Sequence, residues 1–400
     1  EFSVYRRVTD FFTPWEGTRE SFHARLTEVF SSAVARSSAG PHRFLLSLSG
    51  GLDSRAILSG MDCAKQPLST YTLGVKGCAD QVIAEKLSQI TGTSHRFFEL
   101  DQRYLSDFLP NLRRMVSLTD GMYLTHGLTE MLAFRFLEET DLSVLVRGHC
   151  GELAKASLAW PFHTDATVFA MRTREEFLPY FLRRVNYITP IISLRDLLTD
   201  SWFERVGHGA RLSLEESLRD VSLSPADCCS YIYLHEHHRR FTAASLELFR
   251  NVLEVRLPFA DQEFLECLFQ APGVWRDGTD IHRGILQALN PALLKVRNSN
   301  TGAPGNAGPI LEMVLDKFNS LFKRLNVRGY RHYHNFEAWM KRMLIEAVET
   351  VLLNRDSLAR EMYREHVLRR LIDETRRGAA DHAYLLQVLL ILALWQEENL

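Results

Sequence analysis

The residues best suited to chemistry form one hexapeptide, Ser49-Gly50-Gly51-Leu52-Asp53-Ser54. An apolar run precedes it and a helical pattern follows it, so the glycines and serines lie at a turn from strand to helix. Two adjacent glycines let a ligand approach the backbone closely, and the free N–H groups of the next helix favour an anion. Ser49 and Ser54 add hydroxyl donors, and the Asp53 carboxylate could hold Mg²⁺ against phosphate oxygens. These residues predict a phosphate-binding turn.

This hexapeptide resembles the PP-loop of the ATP pyrophosphatases, whose S-G-G-x-D-S turn binds the pyrophosphate of ATP while a substrate is adenylated. It is not a Walker loop, because no Gly-Lys-Ser/Thr follows it. The alternative is a Ser/Gly turn that only joins a strand to a helix. The resemblance implies ATP and Mg²⁺ as cofactors, with the pyrophosphate of ATP held by residues 49–54.

The composition is that of an ordinary globular protein, because 46% of the 400 residues are apolar and 24% are charged. This length predicts two or three domains. Lys+Arg at 47 nearly balances Asp+Glu at 49, which argues against a nucleic-acid binder with a broad basic face. Six cysteines without a C-x-x-C pair fit reduced thiols in a cytoplasmic protein. The longest apolar run, at 388–395, is too short to span a bilayer and indicates a buried C-terminal helix.

Strand and helix patterns alternate along the first 155 residues. Strands are predicted at 43–48, 69–75, 95–100 and 142–146, with helices through 22–33, up to about 60, and at 81–91, 102–118 and 126–139. Such alternation predicts an α/β fold with a doubly wound parallel sheet, as in the PP-loop ATP pyrophosphatases. Helical patterns dominate afterwards. We therefore divide the chain into an N-terminal segment with a leading helix (1–40), an ATP-binding core (41–155) and a helical remainder (156–400) that completes the active site.

A second polar turn, Arg147-Gly148-His149-Cys150-Gly151-Glu152, follows the fourth predicted strand. Ligands of doubly wound sheets bind beyond the carboxyl ends of the strands. The hexapeptide leaves strand one at that edge, and residues 147–152 leave strand four there. The two turns are therefore expected to form one site.

Later segments resemble one PP-loop family, the synthetase domain of class B asparagine synthetases. Its relatives include β-lactam synthetases and lasso-peptide cyclases. Residues 256–261, Arg-Leu-Pro-Phe-Ala-Asp, look like the family segment R-x-P-F-L-D, and residues 392–395, Leu-Ala-Leu-Trp, look like the end of its closing helix. With the two turns, this resemblance covers roughly residues 20–398.

The turn after strand four departs from these relatives, which resemble S-G-E-G-S-D-E or T-G-Y-G-S-D-I there. A metal-binding aspartate of the family is replaced by Glu152, which the resemblance implies as a Mg²⁺ ligand beside Asp53. The family's Glu or Tyr is replaced by His149, whose imidazole suits a proton acceptor for an attacking amine. The alternative is a histidine that bonds its own turn. Gly148 is placed with the nucleotide-binding residues, and the change at position 149 argues against plain asparagine synthesis.

The resemblance also implies a cation that neutralises the leaving pyrophosphate. Lys295 and Arg297 both fit this role, because both lie close to the glycine-rich segment 298–309. The choice between them stays open, as does a solvated cation at a helix end. Segment 298–309 itself is either mobile or functional. The adenine ring is expected against the end of strand two, at Leu73 and Gly74.

Together these features predict an ATP-dependent, AMP-forming ligase that adenylates a small-molecule or peptide carboxylate and passes the acyl group to an amine or ammonia. The nitrogen source stays open between a glutaminase domain removed upstream, a separate glutaminase partner, and an amine of the substrate itself. The last case would give an intramolecular cyclase of the β-lactam-synthetase or lasso-peptide-cyclase type. A catalytically silent ATP-binding or scaffolding relative is the alternative of another class. No nucleic-acid or membrane partner is expected.

Two further features carry less weight. His235 and His238 lie three residues apart on a predicted helix without a third ligand, which indicates a polar helix face rather than a metal site. Asp80 falls near an acidic position that follows strand two in the family, and an N-cap role explains it equally well.

Overall fold

The computed structural model describes residues 6–155, 165–185, 192–276, 278–354, 357 and 359–400. Within these residues, five parallel strands form one sheet in the order β3-β2-β1-β4-β5. The strands are β1 (Phe44–Ser47), β2 (Leu68–Gly74), β3 (Ser94–Glu99), β4 (Val144–Val146) and β5 (Glu254–Arg256). The predicted α/β fold with a parallel sheet is confirmed.

Helices surround this sheet. In the first part of the chain they are α1 (Arg19–Ser37), α2 (Asp53–Gly60), α3 (Ala79–Thr91), α4 (Gln102–Ser106), α5 (Phe108–Thr119) and α6 (Thr125–Glu139). The next are α7 (Ala166–Ala170), α8 (Arg174–Val185), α9 (Leu194–Leu197), α10 (Asp200–Val206), α11 (Gly209–Ser217), α12 (Pro225–Ile232), α13 (Ala243–Arg250) and α14 (Gln262–Phe269). The last are α15 (Asp280–Leu289), α16 (Pro291–Leu294), α17 (Pro309–Arg324), α18 (Phe336–Trp339), α19 (Ile345–Leu352), α20 (Ala359–Met362), α21 (Glu365–Arg377) and α22 (Ala383–Asn399). None of the helices in the described part of the chain is both long and apolar enough to cross a membrane.

Alternating side chains of the central strands divide the interior into two cores. Phe44 and Leu46 of β1 belong to a core with α1, α2 and α3. Leu45, between them, belongs to a second core with α5, α6 and α22. This alternation follows from the two-residue period of a strand, and both sheet faces are apolar because helices cover both.

The helices of the first part begin and end near their predicted limits because their caps are local. Thr18 caps α1 by accepting a hydrogen bond from Ser21 N, and Gly92 ends α3 in a left-handed conformation with φ of 68°. The predicted helix 102–118 is instead two helices, α4 and α5, which meet at Asp107.

The fifth strand, β5, was not predicted. It is three residues long and pairs with β4 at the edge of the sheet. Arg256 at its end donates hydrogen bonds to the carbonyls of Ser37 and Ala39 behind α1. Asp261 caps α14 and accepts hydrogen bonds from Arg36. Segment 256–261 therefore fastens α1 and α14 to the sheet edge.

A long helical rod crosses the carboxyl edge of the sheet. It consists of α12, a π-helical segment (Tyr233–Thr242) and α13, which follow one another without a break. A π-helical segment widens a helix locally and is frequent at functional sites. In this chain the segment carries His237 and His238.

Candidate active site

The hexapeptide, called the phosphate loop below (residues 49–54), joins β1 to α2 as predicted. Its own serines close it, because Ser54 Oγ accepts a hydrogen bond from Ser49 N at 3.0 Å and Ser49 Oγ accepts one from Gly51 N at 3.2 Å. Helix α2 begins at Asp53, and its N-cap residue Leu52 provides no side-chain hydrogen bond. The first N–H groups of the helix thus have no side-chain cap, as an anion-binding turn requires.

Gly50 lies in close contact with two distant parts of the chain. Its N–H donates to Asp80 Oδ1 at 2.7 Å, and its carbonyl accepts from Ser299 N at 3.0 Å. A Cβ at this position would lie 2.8 Å from Ser299 Cβ, so only glycine fits without movement. The N-cap of α3 is Cys78 rather than Asp80, so the cap role suggested for Asp80 is wrong and its carboxylate braces the phosphate loop.

Arg55 holds the phosphate loop to the chain around residue 295. Its side chain is fully buried, and both terminal nitrogens donate to backbone carbonyls. The acceptors are Leu293 (3.3 Å) and Val296 (2.6 Å) for Nη1, and Gly50 (3.1 Å) and Arg297 (2.9 Å) for Nη2. A buried guanidinium is tolerated here because carbonyl dipoles replace its lost hydration.

Asp53 is enclosed by three groups from elsewhere in the chain. The ammonium nitrogen of Lys155 lies 2.7 Å from each carboxylate oxygen, and His282 Nε2 lies 2.8 Å from Oδ1. Gly151 packs so closely that a Cβ there would lie 2.6 Å from Asp53 Oδ1. The carboxylate therefore faces Lys155, a residue that sequence reasoning did not select.

The charges of this cluster follow from burial and from these contacts. Burial disfavours the charged form of Asp53, but Lys155 and His282 outweigh it and hold the pKa of the carboxyl well below its usual range. Burial lowers the pKa of His282 against the attraction of Asp53, so its imidazole is neutral at about pH 7. The pair in the free protein is thus an ionised Asp53 with a Lys155 ammonium.

The metal role predicted for Asp53 does not fit this arrangement, whereas the metal role of Glu152 stays a prediction. Both oxygens of Asp53 already face an ammonium group, and a divalent cation beside that group would be repelled by it. In the part of the chain that the structure describes, no group of three or more His, Cys, Asp or Glu side chains could hold a metal ion. Positive charge at the phosphate loop comes from Lys155 instead.

The turn after β4, called the β4 turn below (residues 147–152), starts with a buried ion pair. Arg147 Nη2 lies 2.6 Å from Glu130 Oε1, and both side chains are less than 10% exposed. Tyr71 accepts from Arg147 at 3.3 Å and donates to Glu130 at 3.3 Å, while Phe249 stacks on the guanidinium. Cys150 has φ of 72°, a left-handed conformation rare outside glycine and associated with functional sites.

Glu152 at the end of this turn faces the π-helical segment. Its Oε1 accepts a hydrogen bond from Tyr233 Oη at 3.3 Å and lies 3.4 Å from His238 Nε2. Burial raises the pKa of Glu152 to about 7, and the nearby Asp53 adds to that shift. Burial also lowers the pKa of His238 to about 3. Glu152 therefore exchanges a proton near neutral pH beside a neutral imidazole.

A cavity of ≈ 570 Å³ opens between the phosphate loop and the β4 turn, at the carboxyl ends of β1, β2 and β4. Predicted site residues that line it are Ser49, Asp53, Ser54, Leu73, Gly148, His149 and Glu152. Its remaining walls combine polar side chains with a group of aromatic ones, Tyr123, His237, Phe241, Tyr333 and Tyr384. The expectation that the two turns form one site is met by this geometry.

The two residues expected at adenine differ in position. Leu73 lines the cavity, whereas Gly74 packs beside it against Tyr333 and Cys78. A Cβ on Gly74 would lie 2.7 Å from Cys78 Sγ, and its φ of 158° is extended backbone. Gly74 thus lets the end of β2 pack closely behind the cavity wall.

Lys295 and Arg297 lie outside the cavity lining. Lys295 is exposed, whereas Arg297 is partly buried and stacks on Tyr330 with 4.2 Å between its guanidinium carbon and the ring centre. Arg297 also donates to the Gly329 carbonyl, and burial lowers its pKa. The next segment is ordered by Asn298, whose Oδ1 accepts from Asn300 N and Thr301 N.

Several site residues were missed because they come from distant or discounted segments. The histidine-rich stretch is not simply a polar helix face, since His237 lines the cavity and His238 contacts Glu152. Lys155 stands three residues after Glu152, a spacing that could have drawn attention to it. His282 had no sequence signal, because its partner Asp53 lies 229 positions earlier in the numbering.

The family model for asparagine synthase matches residues 25–294, a range that includes the phosphate loop, the β4 turn and His282. No curated protein is significantly similar to this chain. Among solved structures, the chain resembles NMN synthetase from Francisella tularensis at 12% identity and a TM-score of 0.24, over 59% of this chain and 94% of that one. A TM-score this low has no bearing on activity.

Proposed function

Because this chain belongs to the asparagine synthase family, we propose that it is an ATP-dependent ligase that adenylates a carboxylate and transfers the acyl group to an amine. The observation that carries this proposal is the shared cavity, into which the phosphate loop and the β4 turn both open. A nucleotide phosphate and an acyl group must meet for adenylation. This cavity lies where doubly wound sheets bind such ligands.

The first step would take place at the phosphate loop. A carboxylate oxygen of the substrate attacks the α-phosphorus of Mg-ATP, the bond from that phosphorus to the bridging oxygen breaks, and pyrophosphate leaves with the bond's electrons. Ser49, Ser54 and the start of α2 would hold the pyrophosphate, and Leu73 would contact the adenine. The residues contribute mainly by orienting the reactants and offsetting developing charge.

The second step would take place on the β4 side of the cavity. The amine nitrogen attacks the acyl carbon of the adenylate, AMP leaves, and the nitrogen loses a proton. His149 lines this side and stays our candidate for accepting that proton, with Glu152 as a second acceptor because its pKa is raised to about 7. A cation near the loop would assist departure of pyrophosphate, and the choice between the two predicted residues, Lys295 and Arg297, stays open because both lie outside the cavity lining.

The walls of the cavity favour a bulky, partly apolar substrate over free aspartate. Four aromatic side chains, Tyr123, Phe241, Tyr333 and Tyr384, line it. The charge of Arg147 in this cavity is already neutralised by Glu130. Arg147 therefore offers little net attraction to the carboxylate of a free amino acid. This observation supports the second candidate function, intramolecular amide formation in which the substrate supplies its own amine. Ammonia or a glutaminase partner would serve the first.

The test is the appearance of pyrophosphate and AMP from Mg-ATP while candidate carboxylates and peptides are added one at a time. Pyrophosphate that depends on one added substrate is the expected result, and it identifies the acyl donor. An amine-bearing peptide that cyclises without ammonia or glutamine would select the second candidate. Formation of ADP and phosphate would contradict the proposal. Absence of turnover with every substrate, ammonia and glutamine included, would favour a silent relative.

A further inference from the structure

Lys155 places a positive charge at the phosphate loop, and the family resemblance did not predict this residue. The Lys155 ammonium is held 2.7 Å from both oxygens of Asp53, and its side chain is 17% exposed. Asp53 itself lines the cavity beside Ser49 and Ser54. Lys155 itself does not line the cavity, but its ammonium lies directly against the cavity-lining carboxylate of Asp53 and its side chain is partly exposed.

Three other cations that the structure describes near the loop, Arg55, Arg297 and Lys323, are committed elsewhere. The guanidinium of Arg55 is buried and donates to backbone carbonyls, and Arg297 stacks on Tyr330 while donating to the Gly329 carbonyl. Lys323 donates to the Asn300 carbonyl at 3.3 Å. Lys155 differs from these, because its partner is a carboxylate on the loop itself.

We propose that Lys155 is the phosphate-binding cation of this site: Asp53 holds its ammonium beside the loop, and the phosphates of ATP take that ammonium as a partner when they bind. This inference deepens the proposed function and rests on it. Asp53 then acts through Lys155, as a positioning residue rather than as a metal ligand. A fixed ammonium offsets phosphate charge without a divalent ion bound to the protein.

If Lys155 has this role, the protein does not need a divalent cation in order to bind a nucleotide. The wild-type protein should bind α,β-methylene-ATP in EDTA with an affinity within about tenfold of that in Mg²⁺, since one charge-assisted contact is retained. Loss of the ammonium should weaken binding in EDTA by about 10- to 100-fold, the effect of one hydrogen bond to a charged group. Added Mg²⁺ should restore part of this loss, because it neutralises the phosphates independently.

The experiment is isothermal titration of α,β-methylene-ATP into the full chain, in EDTA and in Mg²⁺, for wild type, Lys155→Met and Lys155→Arg. Lys155→Arg should retain most of the affinity in EDTA, and Lys155→Met should lose it. The matched control is Lys65→Met, which removes an exposed lysine that pairs with Asp62. Its affinity should equal that of wild type under both conditions.

A second pair of variants separates phosphate binding from folding. Lys155→Met removes the ammonium partner of the Asp53 carboxylate and leaves the neutral His282 beside it, so the fold is weakened for a reason unrelated to the ligand. Asp53→Asn with Lys155→Met removes both charges, whereas Asp53→Asn alone retains the ammonium. The single variant should bind in EDTA at least ten times more tightly than the double variant. Equal affinities would overturn the proposal, as would an equal Mg²⁺ dependence of wild type and Lys155→Met.

Failure of the inference can be told from failure of the proposed function. Wild type that binds α,β-methylene-ATP while Lys155→Met binds it equally well leaves the ligase proposal intact and removes Lys155 from it. Wild type that binds no nucleotide with or without Mg²⁺ overturns both.

Discussion

Asp53 has two roles that the sequence alone does not distinguish. It belongs to the phosphate loop, and its carboxylate orients the Lys155 ammonium. Its ion pair with Lys155 joins the phosphate loop to the segment that follows the β4 turn. His282 adds a third contact from α15. Under the proposed role of Lys155, a change at Asp53 would act on catalysis through the ammonium and not through lost ligand contact alone.

Asp53→Asn should lower substrate-dependent pyrophosphate release by about 100-fold or more, because the ammonium that offsets leaving-group charge is no longer oriented. Nucleotide binding should persist. A pyrophosphate assay and a titration on the same preparation would show the difference. Asp62→Asn serves as the control, since Asp62 is exposed and pairs with Lys65 outside the site. Unchanged turnover in Asp53→Asn would rule out its role.

Glu152 should make the stability of the free protein depend on pH. Its pKa is raised from 4.5 to about 7, mainly by burial, so ionised Glu152 destabilises the fold. The penalty is absent below the unfolded pKa and complete above the folded one. Glu152→Gln should therefore raise Tm at about pH 8 and leave it nearly unchanged at about pH 4.5.

Thermal melts of both proteins at several pH values would check this dependence. Glu28→Gln is a suitable control, because Glu28 is exposed on α1 outside the site and its substitution should not reproduce the rise in Tm at about pH 8. A Tm difference for Glu152→Gln that is equal at both ends of the range would contradict the expected proton linkage.

Elements were predicted where their signals are local. Strand β1 and helix α2 follow from an apolar run, two glycines and a helical pattern, and their limits lie within a residue of those expected. Strand β5 was not predicted, because its three residues lie at the sheet edge, none of them is fully buried, and so short a segment shows no hydrophobic periodicity. Its place depends on pairing with β4, about 110 positions earlier in the chain, a contact that no local pattern encodes.

Site residues, like strands and helices, were predicted only where a local sequence motif marks them. Ser49, Asp53, His149 and Glu152 were found because each stands in a short motif, and all four line the cavity. The sequence did not identify their partners, which are Lys155, His282 and the histidines of the π-helical segment. These residues reach the site only when α15 and the rod of α12 and α13 pack over the sheet edge.

Arg55 links two elements through backbone carbonyls, and its removal should loosen both. Arg55→Met keeps an apolar stem but removes the guanidinium donor of the Val296 and Arg297 carbonyls, whereas the Leu293 carbonyl still accepts from Val296 N. We expect a loss of unfolding free energy of about 3 kcal/mol, since each orphaned buried acceptor costs roughly 1–3 kcal/mol. Urea unfolding would measure it.

The matched control for that measurement is Arg25→Met on α1. Arg25 is 50% exposed and pairs with Glu28, so its loss should cost less than about 1 kcal/mol. Similar values for the two variants would show that Arg55 is not the tether inferred from its contacts.

On the scale of the whole molecule, the sheet separates two cores, and the second depends on the last helix. Helix α22 packs on α5 and α19 and is buried on many sides, including Leu390 at 0% exposure. Leu390→Ala should lower the free energy of unfolding by about 2–5 kcal/mol, the usual effect of a cavity in a packed core.

Denaturant titration monitored by far-UV circular dichroism would test this at the end of the chain. Leu400→Ala removes the same side chain at 82% exposure and should change stability by less than about 0.5 kcal/mol. Equal midpoints for Leu390→Ala and wild type would mean that α22 is not part of the second core.

The contacts of Arg55 and Gly50 determine when the phosphate loop can be completed during translation. The loop leaves the ribosome before the residues that complete it, because the carbonyls that receive Arg55 and the Ser299 amide that meets Gly50 belong to residues some 240 positions later. Domains form from the N-terminal end as translation proceeds at about 5–20 residues per second. Strands β1 to β4 can thus pair while the nucleotide site is still unfinished, for a delay of roughly ten seconds or more at that speed. A growing chain can therefore complete its phosphate loop only after residues 293–299 have emerged.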